Sequence, residues 1–230
     1  MTALVALEAV CMRFVTKSNP EYPVFGGINL SISAGERIAL IGRNGSGKST
    51  LLRVMARIFA PSAGNVHWAP GVSVSMLSLG LGFRPDLTGR DNALLSCLLL
   101  GLSRKEAKAS VERIAAFCEI GAFFDEPVRT YSVGMRARLG FGSALMNRSQ
   151  VILIDETLSV GDTFFREKAR DALEKELTEE RAMVLVTHGE QQVRGLCRRA
   201  VLLEGGLTVA DGMPADVLAE YAALSTYSTM

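Results

Sequence analysis

The sequence has little of what metal centres, disulfide frameworks and membrane spans require. It has only two histidines, and its four cysteines form no Cys-x-x-Cys pair, so neither a zinc site nor a disulfide framework is indicated. We expect the cysteines to be reduced core residues. The longest apolar run, 93–102, has about half of the ~20 residues that a membrane-spanning helix needs. The N-terminus lacks the charged start and apolar core of a signal peptide, which predicts a cytoplasmic chain.

An excess of charge of one sign is also missing. The chain has 25 Lys and Arg against 24 Asp and Glu, which gives a net charge of +1. Such a balance provides no overall field to hold nucleic acid or acidic lipid. We therefore predict no nucleic-acid partner and no direct membrane span, so that any membrane attachment comes through a protein partner. The 230 residues suffice for one large domain or one domain with an inserted subdomain.

A glycine-rich segment lies between an apolar strand and an amphipathic helix. Its nine residues are Gly42, Arg43, Asn44, Gly45, Ser46, Gly47, Lys48, Ser49 and Thr50. Glycines let the backbone aim N–H groups at phosphate oxygens, and the following helix adds its positive end. We expect Lys48 to reach the β and γ phosphates, Ser49 to bind Mg²⁺ and Thr50 to add a nucleotide contact. The segment predicts ATP or GTP binding, and a chance glycine-rich turn is the alternative.

A run of four apolar residues, 151–154, ends in two carboxylates. This is the pattern of a buried strand that delivers charge at its C-terminal edge, where ligands bind in parallel sheets. We predict that Asp155 completes the Mg²⁺ site and that Glu156 orients the water that attacks the γ phosphate. A strand that simply ends in a charged loop is the alternative. Together with Lys48, the pair favours a phosphate-loop NTPase.

A second anion site is predicted where a serine and a glycine begin an apolar helix. The segment 131–139 presents Ser132 and Gly134 at the helix start. It resembles the signature motif of ATP-binding cassette (ABC) ATPases, in which the helix of one subunit closes on the γ phosphate held by the other. The resemblance implies that Ser132, Gly134 and Met135 contact the partner's nucleotide. Val133 and Met135 depart from the commonest form, which has glycine and glutamine at these positions.

Two further segments follow in the order typical of this family. Residues 159–162 resemble the D-loop, which implies a nucleotide contact for Asp162, and residues 186–188 resemble the switch-histidine segment. The resemblance implies that His188 contacts the γ phosphate and holds Glu156 and the attacking water. It also gives the catalytic set of Glu156, His188 and Lys48, with ATP and Mg²⁺ as the bound groups.

The family also has an aromatic residue that stacks on adenine. We expect it in the opening strands, with Phe14 as the first candidate and Tyr22 as the second. The alternative is that either side chain serves only in packing. The other histidine, His67, has no comparable context and is predicted to lie in an exposed loop beside Trp68.

One departure from the family narrows the resemblance. ABC ATPases usually have a glutamine in the loop that enters the helical subdomain, and here that loop, 77–85, has Ser78 or Leu79 near the position. This glycine-rich loop and the segment 86–92, together with Tyr131-Ser132-x-Gly134-Met135 and Val160-Gly161-Asp162, resemble the ATPases that export bacterial polysaccharides. Those polysaccharides include capsule, lipid-linked O-antigen and teichoic acid.

The resemblance to these exporters implies partners and a location. It implies a cytoplasmic ATPase on the inner face of the cell membrane, which forms a head-to-tail homodimer with two ATP at the interface and docks on a separate membrane permease. The segment 80–92 and the neighbouring helices are the expected coupling surface. The tail, 213–230, is too short for a further β-domain, so glycan specificity is expected in the permease.

The predicted fold class is α/β: a P-loop NTPase, ABC-type nucleotide-binding domain with an N-terminal antiparallel β subdomain and an inserted α-helical subdomain. Residues 1–78 and 148–212 should form the core, 79–147 the helical signature subdomain, and 213–230 a short C-terminal helix or tail. We expect strands at 4–14, 24–32, 37–41, 72–77, 151–154, 183–186, 200–203 and 207–210, and helices at 90–101, 104–119, 133–147, 165–176, from 190, and at 214–221.

Three alternatives stay open. The first is an ABC ATPase that acts in DNA maintenance or on ribosomes, which the absence of a long coiled coil, a second cassette and a basic excess disfavours. The second is a transporter ATPase for another cargo, such as a lipid or a drug. The third is a small phosphate-loop kinase, which would need an acceptor site in place of residues 132–135.

Overall fold

The protein is described from a computed structural model. The structure describes residues 3–17, 19–77, 82–146, 148–155 and 163–227. Contacts divide the chain into two compact units. The core unit takes its described residues from 1–76, 149–156 and 177–230, and the helical unit takes them from 77–148 and 157–176.

Two sheets build most of the core unit. Their strands are β1 (Ala3–Phe14), β2 (Tyr22–Ser33), β3 (Arg37–Ile41), β4 (Ala63–Trp68), β5 (Val74–Leu77), β6 (Val151–Asp155), β7 (Ala182–Val186), β8 (Arg199–Glu204) and β9 (Leu207–Gly212). The first sheet is antiparallel with the order β2-β1-β4, and the second has the order β5-β6-β7-β3-β8-β9. In the second sheet, β6, β7, β3 and β8 run parallel, and β9 returns antiparallel to β8.

The parallel strands bring their C-terminal ends to one edge. In β6, the residues Val151 to Ile154 are all buried, and so are all five residues of β7, as expected for strands covered on both faces. Asp155 at the end of β6 is level with Val186 on β7, and Val186 is level with Leu40 on β3. The chain segments that leave these three strands therefore begin side by side.

Among the described residues, the core unit has three helices: α1 (Lys48–Met55), α6 (Glu190–Leu196) and α7 (Pro214–Tyr227). In α1, Leu51, Leu52, Val54 and Met55 are fully buried and join the apolar strand residues in one core. Because α1 follows β3 after a six-residue loop, this packing fixes the direction in which the helix start points.

In the part of the helical unit that the structure describes, there are four α-helices: α2 (Gly89–Leu99), α3 (Arg104–Cys118), α4 (Val133–Ala144) and α5 (Thr163–Glu176). Short 3₁₀ turns at Gly121–Asp125 and Val128–Thr130 connect α3 to α4. Side chains cap three of the helix starts: the hydroxyl of Thr88 accepts the Asp91 N–H, and Ser103 forms a reciprocal capping box with Glu106. Ser132 caps α4 as Thr88 caps α2, because its hydroxyl accepts the Met135 N–H.

The structure differs from the sequence-based expectation at several element ends. A strand at Ala63–Trp68 was not predicted, and His67 lies on this strand, exposed, rather than in a loop. It pairs with β1, which supplies backbone partners that the local sequence does not reveal. Helix α4 ends at Ala144 rather than 147, because the Met146 N–H bonds to the Ser143 carbonyl in a tighter turn.

Further differences concern α5, α7 and β5. The prediction assigned all of 148–212 to the core, but α5 groups with the helical unit because its Phe165 packs among two phenylalanine side chains there. Helix α7 extends to Tyr227, six residues beyond the predicted end, and β5 begins at Val74 because Val72 closes a turn onto Ala69.

Candidate nucleotide-binding site

The phosphate loop follows β3 and is shaped by its glycines. Gly42, Gly45 and Gly47 have φ values of 144°, 83° and 98°, which L side chains rarely adopt. A Cβ on Gly42 would lie 1.9 Å from the Leu203 carbonyl oxygen, and one on Gly47 would lie 2.9 Å from the Phe25 ring. The loop therefore lies so close to its neighbours that only glycine fits at these two positions.

Lys48 begins α1 and is buried, with 6% of its surface exposed. Its ammonium donates hydrogen bonds to the carbonyl oxygens of Gly42 (2.8 Å) and Arg43 (2.7 Å). The N-cap residue Gly47 offers no side-chain acceptor to the first amides of α1, and the first turn has no acidic residue. A buried cation and uncapped helix amides together are what an anionic phosphate requires.

Two oxygen donors meet beside the loop. The Ser49 hydroxyl on α1 donates a hydrogen bond to the Asp155 carboxylate at the end of β6 over 3.0 Å, although 106 positions separate the two residues in sequence. A hydroxyl and a carboxylate oxygen are hard ligands of the type that Mg²⁺ accepts, and Mg²⁺ usually takes one or two protein groups plus phosphate and water. No group of three or more His, Cys, Asp or Glu side chains suited to a metal occurs among the described residues. The pair therefore fits Mg²⁺ bound together with a nucleotide.

His188 follows β7 at the same sheet edge and is exposed. The turn that carries it is held by Thr187, which is 3% exposed. The Thr187 hydroxyl donates to the side-chain oxygen of Gln192 and accepts the Gly189 N–H at 3.0 Å. This small network fixes the backbone on both sides of His188, so the structure brings the histidine to the edge that Asp155 and the phosphate loop share.

The remaining loop residues have distinct surroundings. Ser46 is buried and its N–H bonds to the Arg43 carbonyl at 3.2 Å, whereas Asn44 is exposed and Thr50 is half-buried. The Arg43 N–H donates to the Glu204 carboxylate on β8 at 3.4 Å. A groove of about 380 Å³ runs along the outside of the loop; it is lined by Pro23, Val24, Arg43, Asn44, Gly45, Ser46, Glu204, Gly205 and Gly206.

The two aromatic candidates are cross-strand neighbours. Phe14 ends β1 directly opposite Tyr22, the first residue of β2. Phe14 packs edge-to-face on Phe59 at 5.5 Å between ring centroids, whereas Tyr22 is 54% exposed. Which ring stacks on adenine stays a prediction.

The signature segment lies in the helical unit, where its geometry is described by itself. Ser132 is exposed at the start of α4, and its hydroxyl accepts the Met135 N–H at 3.1 Å. Val133 is 76% exposed, and a Cβ on Gly134 would meet only the Ser132 hydroxyl, at 3.9 Å. The helix start is therefore open at Ser132 and Val133, whereas Gly134 and Met135 are half-buried and Met135 packs against the apolar core of the helical unit.

Tyr131, the residue before this helix start, is buried. It is 3% exposed, its hydroxyl donates to the Phe123 carbonyl at 2.6 Å, and burial raises the pKa of this phenol to about 12. A Cβ on Gly89 would lie 2.1 Å from the Tyr131 hydroxyl oxygen, so α2 begins in direct contact with it.

Some predicted residues lie outside the described part of the chain. They are Glu156, the D-loop residues 159–162 with Asp162, and residues 78–81 of the loop that lacks the glutamine. Their roles stay predictions.

The cysteines are free among the described residues, and Cys97, Cys118 and Cys197 are buried. Burial raises the pKa of the Cys118 and Cys197 thiols to about 12, which keeps them protonated and unreactive at neutral pH. Cys11 is half-buried.

Sequence reasoning missed four supporting residues. The carbonyl of Leu203 lies against Gly42, and Tyr131 contacts the start of α2. The side-chain oxygen of Gln192 accepts the hydrogen bond from Thr187. Asn92 is 1% exposed and makes four hydrogen bonds within the loop before α2, to the Arg84 N–H and to the carbonyls of residues 84, 87 and 88. Only Asn92 left a sequence signal, as a polar residue on the face of α2 that also carries Ala93 and Cys97.

The comparisons with known proteins agree with this geometry. The family model described as "ABC transporter" matches residues 25–159. The O-antigen export system ATP-binding protein RfbB of Myxococcus xanthus is 43% identical over 195 residues, which cover 85% of this chain and 44% of that protein. RfbB of Klebsiella pneumoniae is 42% identical, with 80% and 74% covered. The teichoic acids export ATP-binding protein TagH of Enterococcus faecalis is 38% identical, with 89% and 45% covered.

The chain thus spans less than half the length of two of these three relatives. Among solved structures, the ATP-binding cassette MJ0796, in a dimeric post-hydrolysis state bound to ADP and Pi, superposes with a TM-score of 0.79 at 22% identity, over 91% of this chain and 98% of that one. The predicted fold class and the predicted resemblance to polysaccharide-exporter ATPases are confirmed. The chain belongs to the ABC transporter family.

Proposed function

We propose that this protein is the ATP-binding and ATP-hydrolysing subunit of an ABC transporter that powers export of a bacterial surface polysaccharide through a separate membrane permease. One observation carries the proposal: the buried Lys48 ammonium and the Ser49–Asp155 oxygen pair meet at one sheet edge of the core unit. The relatives named for O-antigen and teichoic acid export support the choice of cargo class.

In the proposed mechanism, the core unit binds ATP through its backbone and Lys48. The amides of α1 and the Lys48 charge stabilise the β and γ phosphates. Ser49 and Asp155 would hold Mg²⁺, which would supply positive charge to the bound nucleotide. Glu156, the residue after Asp155, orients the attacking water, and His188 beside the same edge holds that arrangement.

The helical unit acts on the nucleotide of a second subunit. In a head-to-tail homodimer with two ATP at the interface, Ser132, Gly134 and Met135 face the γ phosphate bound by the partner, and Asp162 lines the same interface. The open start of α4, with Val133 76% exposed, supports this role, since it leaves the helix end accessible to another molecule. The dimeric state of the structural neighbour also supports it.

The permease contact is proposed at the loop before α2 and along α2. Asn92 gives the loop 84–88 a fixed shape, and α2 exposes Leu95, Leu98 and Leu99, the last with 80% of its surface accessible. Across the part of the chain that the structure describes, every helix is too short or too polar to span a bilayer. The relatives named for export systems support attachment to the inner face of the membrane through the permease.

Charge reversal tests this contact. Asp86 and Arg84 are exposed on the loop, and Asp86 lies 3.3 Å from Arg129. We expect Arg84→Glu with Asp86→Arg to reduce co-purification with the permease and export, whereas Lys108→Glu on exposed α3 should change neither. Intact binding and export in the double variant would contradict the proposed surface.

The proposed function is tested in cells that carry the wild-type protein or Glu156→Gln at matched levels. Loss of the water-orienting carboxylate should lower ATP turnover by about 100-fold or more while ATP binding is kept. We expect surface glycan to fall and intracellular glycan to accumulate. Glu180→Gln, an equal change at an exposed position of the core unit, should leave both pools unchanged. An unaltered glycan distribution despite lost turnover would direct the search to another cargo, such as a lipid or drug.

A further inference from the structure

Three phenylalanine rings from three helices meet inside the helical unit. Phe117 on α3 lies 5.9 Å from Phe141 on α4 and 5.7 Å from Phe165 on α5, and the last two rings are 6.2 Å apart, centroid to centroid. Phe141 and Phe165 are each 1% exposed. We call these three residues the aromatic cluster. It joins the helix that begins with the signature motif to α5, the helix that begins at Thr163 after the Asp155–Glu156 carboxylates.

A lysine of α5 caps the end of α3 beside this cluster. The Lys168 ammonium donates to the Phe117 carbonyl at 2.8 Å, lies 2.7 Å from the Glu119 carboxylate, and is 4.9 Å from the centroid of the Phe117 ring. Glu119 ends α3 in the left-handed conformation, with φ of 52°. A cation at a helix C-terminus satisfies unpaired carbonyls and the helix dipole. Lys168 therefore fastens α5 to α3 with three kinds of contact.

An arginine of α4 binds the same helix end. The guanidinium of Arg138 lies 4.9 Å from the centroid of the Phe165 ring, and its Nη1 donates to the Cys118 carbonyl at 3.4 Å. The Cys118 thiol donates in return to the Arg138 carbonyl at 3.2 Å. A Cβ on Gly142 would lie 2.9 Å from the Cys118 sulfur, so α3 and α4 are in close contact here.

The position of α5 in the sequence does not predict these contacts. The helix comes after β6, a strand of the core unit, yet its contacts group it with the helical unit. The start of α5, where the chain arrives from Glu156, is thereby held by the same body that presents Ser132. Helices α3, α4 and α5 are thus close-packed around the aromatic cluster within the helical unit.

We propose that Lys168 and Phe165 are positioning residues for ATP hydrolysis: they fix α5 to the signature helix, so that the chain carrying Glu156 is anchored at its downstream end to the helix that meets the partner's nucleotide. This inference rests on the proposed function, in which Glu156 orients the attacking water. It assigns the anchor no part in ATP binding itself, because the phosphate loop is built within the core unit.

The test uses the full-length protein and compares three lysine variants. Lys168→Met removes the charge and keeps the length, Lys168→Arg keeps a cation, and Lys175→Met removes an exposed charge from the same helix. Small misplacement of a catalytic group is costly, so we expect Lys168→Met to lower kcat about tenfold with KM for ATP within about twofold of wild type. Lys168→Arg should restore at least half of the rate, and Lys175→Met should match wild type.

Two outcomes overturn the inference. One is an unchanged kcat in Lys168→Met; the other is a loss of rate that only tracks the fraction of folded protein, which circular dichroism measures. If Lys168→Met does not fold, Phe165→Leu replaces it, because this change removes the ring and keeps an apolar side chain. Wild-type protein without ATP turnover would overturn the inference and the proposed function together, whereas normal turnover in both variants would overturn the inference alone.

Discussion

Two helix starts in this protein are predicted to meet phosphate, and they are built differently. The start of α1 is enclosed: Lys48 is buried, and Gly42 lies directly against the Leu203 carbonyl. The start of α4 is open: Ser132 and Val133 are exposed, and the hydroxyl of Ser132 is already engaged by the amide of its own helix. The first site is complete within one core unit, while the second offers a surface.

The two constructions predict different parts in the proposed reaction. We expect the enclosed start of α1 to bind nucleotide without a second subunit, since low-dielectric surroundings strengthen each contact of a buried cation. An open helix start adds little until another molecule covers it and removes water. Substitutions in the cradle should therefore affect binding by one subunit, and substitutions at the open start should affect only steps that need two.

The largest effect is expected for Gly42→Ala, which breaks the enclosed site. The added Cβ would lie 1.9 Å from the Leu203 oxygen at a φ of 144°, so the loop or β8 must shift. We expect ATP binding to fall below detection and the free energy of unfolding to drop by at least about 2 kcal/mol. Gly195→Ala on α6, where the space around the glycine is open, is the control; it should keep ATP binding and leave the free energy of unfolding equal to or slightly above that of the wild type. Isothermal titration with ATP and thermal melts give the two readouts, and near-wild-type ATP affinity would contradict the enclosed geometry.

A smaller effect is expected for Lys48→Ala, which keeps the loop backbone and removes its cation. A charge-assisted hydrogen bond contributes about 1.5–3 kcal/mol, so the affinity for ATP should fall roughly 10- to 100-fold. Equilibrium binding to a fluorescent ATP analogue measures the change, and Lys175→Ala on the exposed face of α5 is the matched control. Unchanged affinity would remove Lys48 from the phosphate site.

The enclosed site is also the part that the sequence predicted best. Glycine spacing, an apolar strand and a helical pattern are local signals. In the structure, a hydrogen bond joins Ser49 to Asp155, and His188 follows β7 at the same sheet edge, because parallel strands end at one edge. The roles of these residues toward ATP and Mg²⁺ stay predictions. The fold class followed from the same alternation of strands and helices.

What the sequence did not reveal depends on contacts between distant residues. Strand β4 exists because β1 pairs with it, and α5 joins the helical unit through Phe165, whose partners lie in α3 and α4. Asn92 fixes the loop before α2, and Tyr131 precedes the start of α4; each bonds to backbone carbonyls that no periodic pattern marks. The residues that hold the open start of α4 in place were therefore not predictable from the sequence.

Gly89→Ala tests how firmly those supports hold the open site. The added methyl would lie 2.1 Å from the Tyr131 hydroxyl and 3.0 Å from the Phe124 carbonyl, in a region that is buried. Overpacking of this kind costs about 1–3 kcal/mol of unfolding free energy. Urea unfolding measures the loss, and Tyr131→Phe in the same chain should recover part of it, because the two changes share a contact. Strictly additive losses would contradict the tight packing of Tyr131 on α2.

Gly134→Ala should have the smallest effect on stability, and it distinguishes a role of the start of α4 in function from a role in folding. A Cβ there meets nothing nearer than the Ser132 hydroxyl at 3.9 Å, and within a helix alanine is favoured over glycine by about 0.5–1 kcal/mol. The melting temperature should rise slightly, and ATP affinity of the single subunit should stay the same. If the start of α4 closes on the partner's γ phosphate, the new methyl lies on that surface and should lower ATP turnover. It should also lower ATP-dependent dimerisation, which size-exclusion chromatography measures in the Glu156→Gln background. A more stable protein with less turnover separates function from folding at this glycine, whereas unchanged turnover would leave Gly134 as an ordinary helix residue and limit the second phosphate site to Ser132.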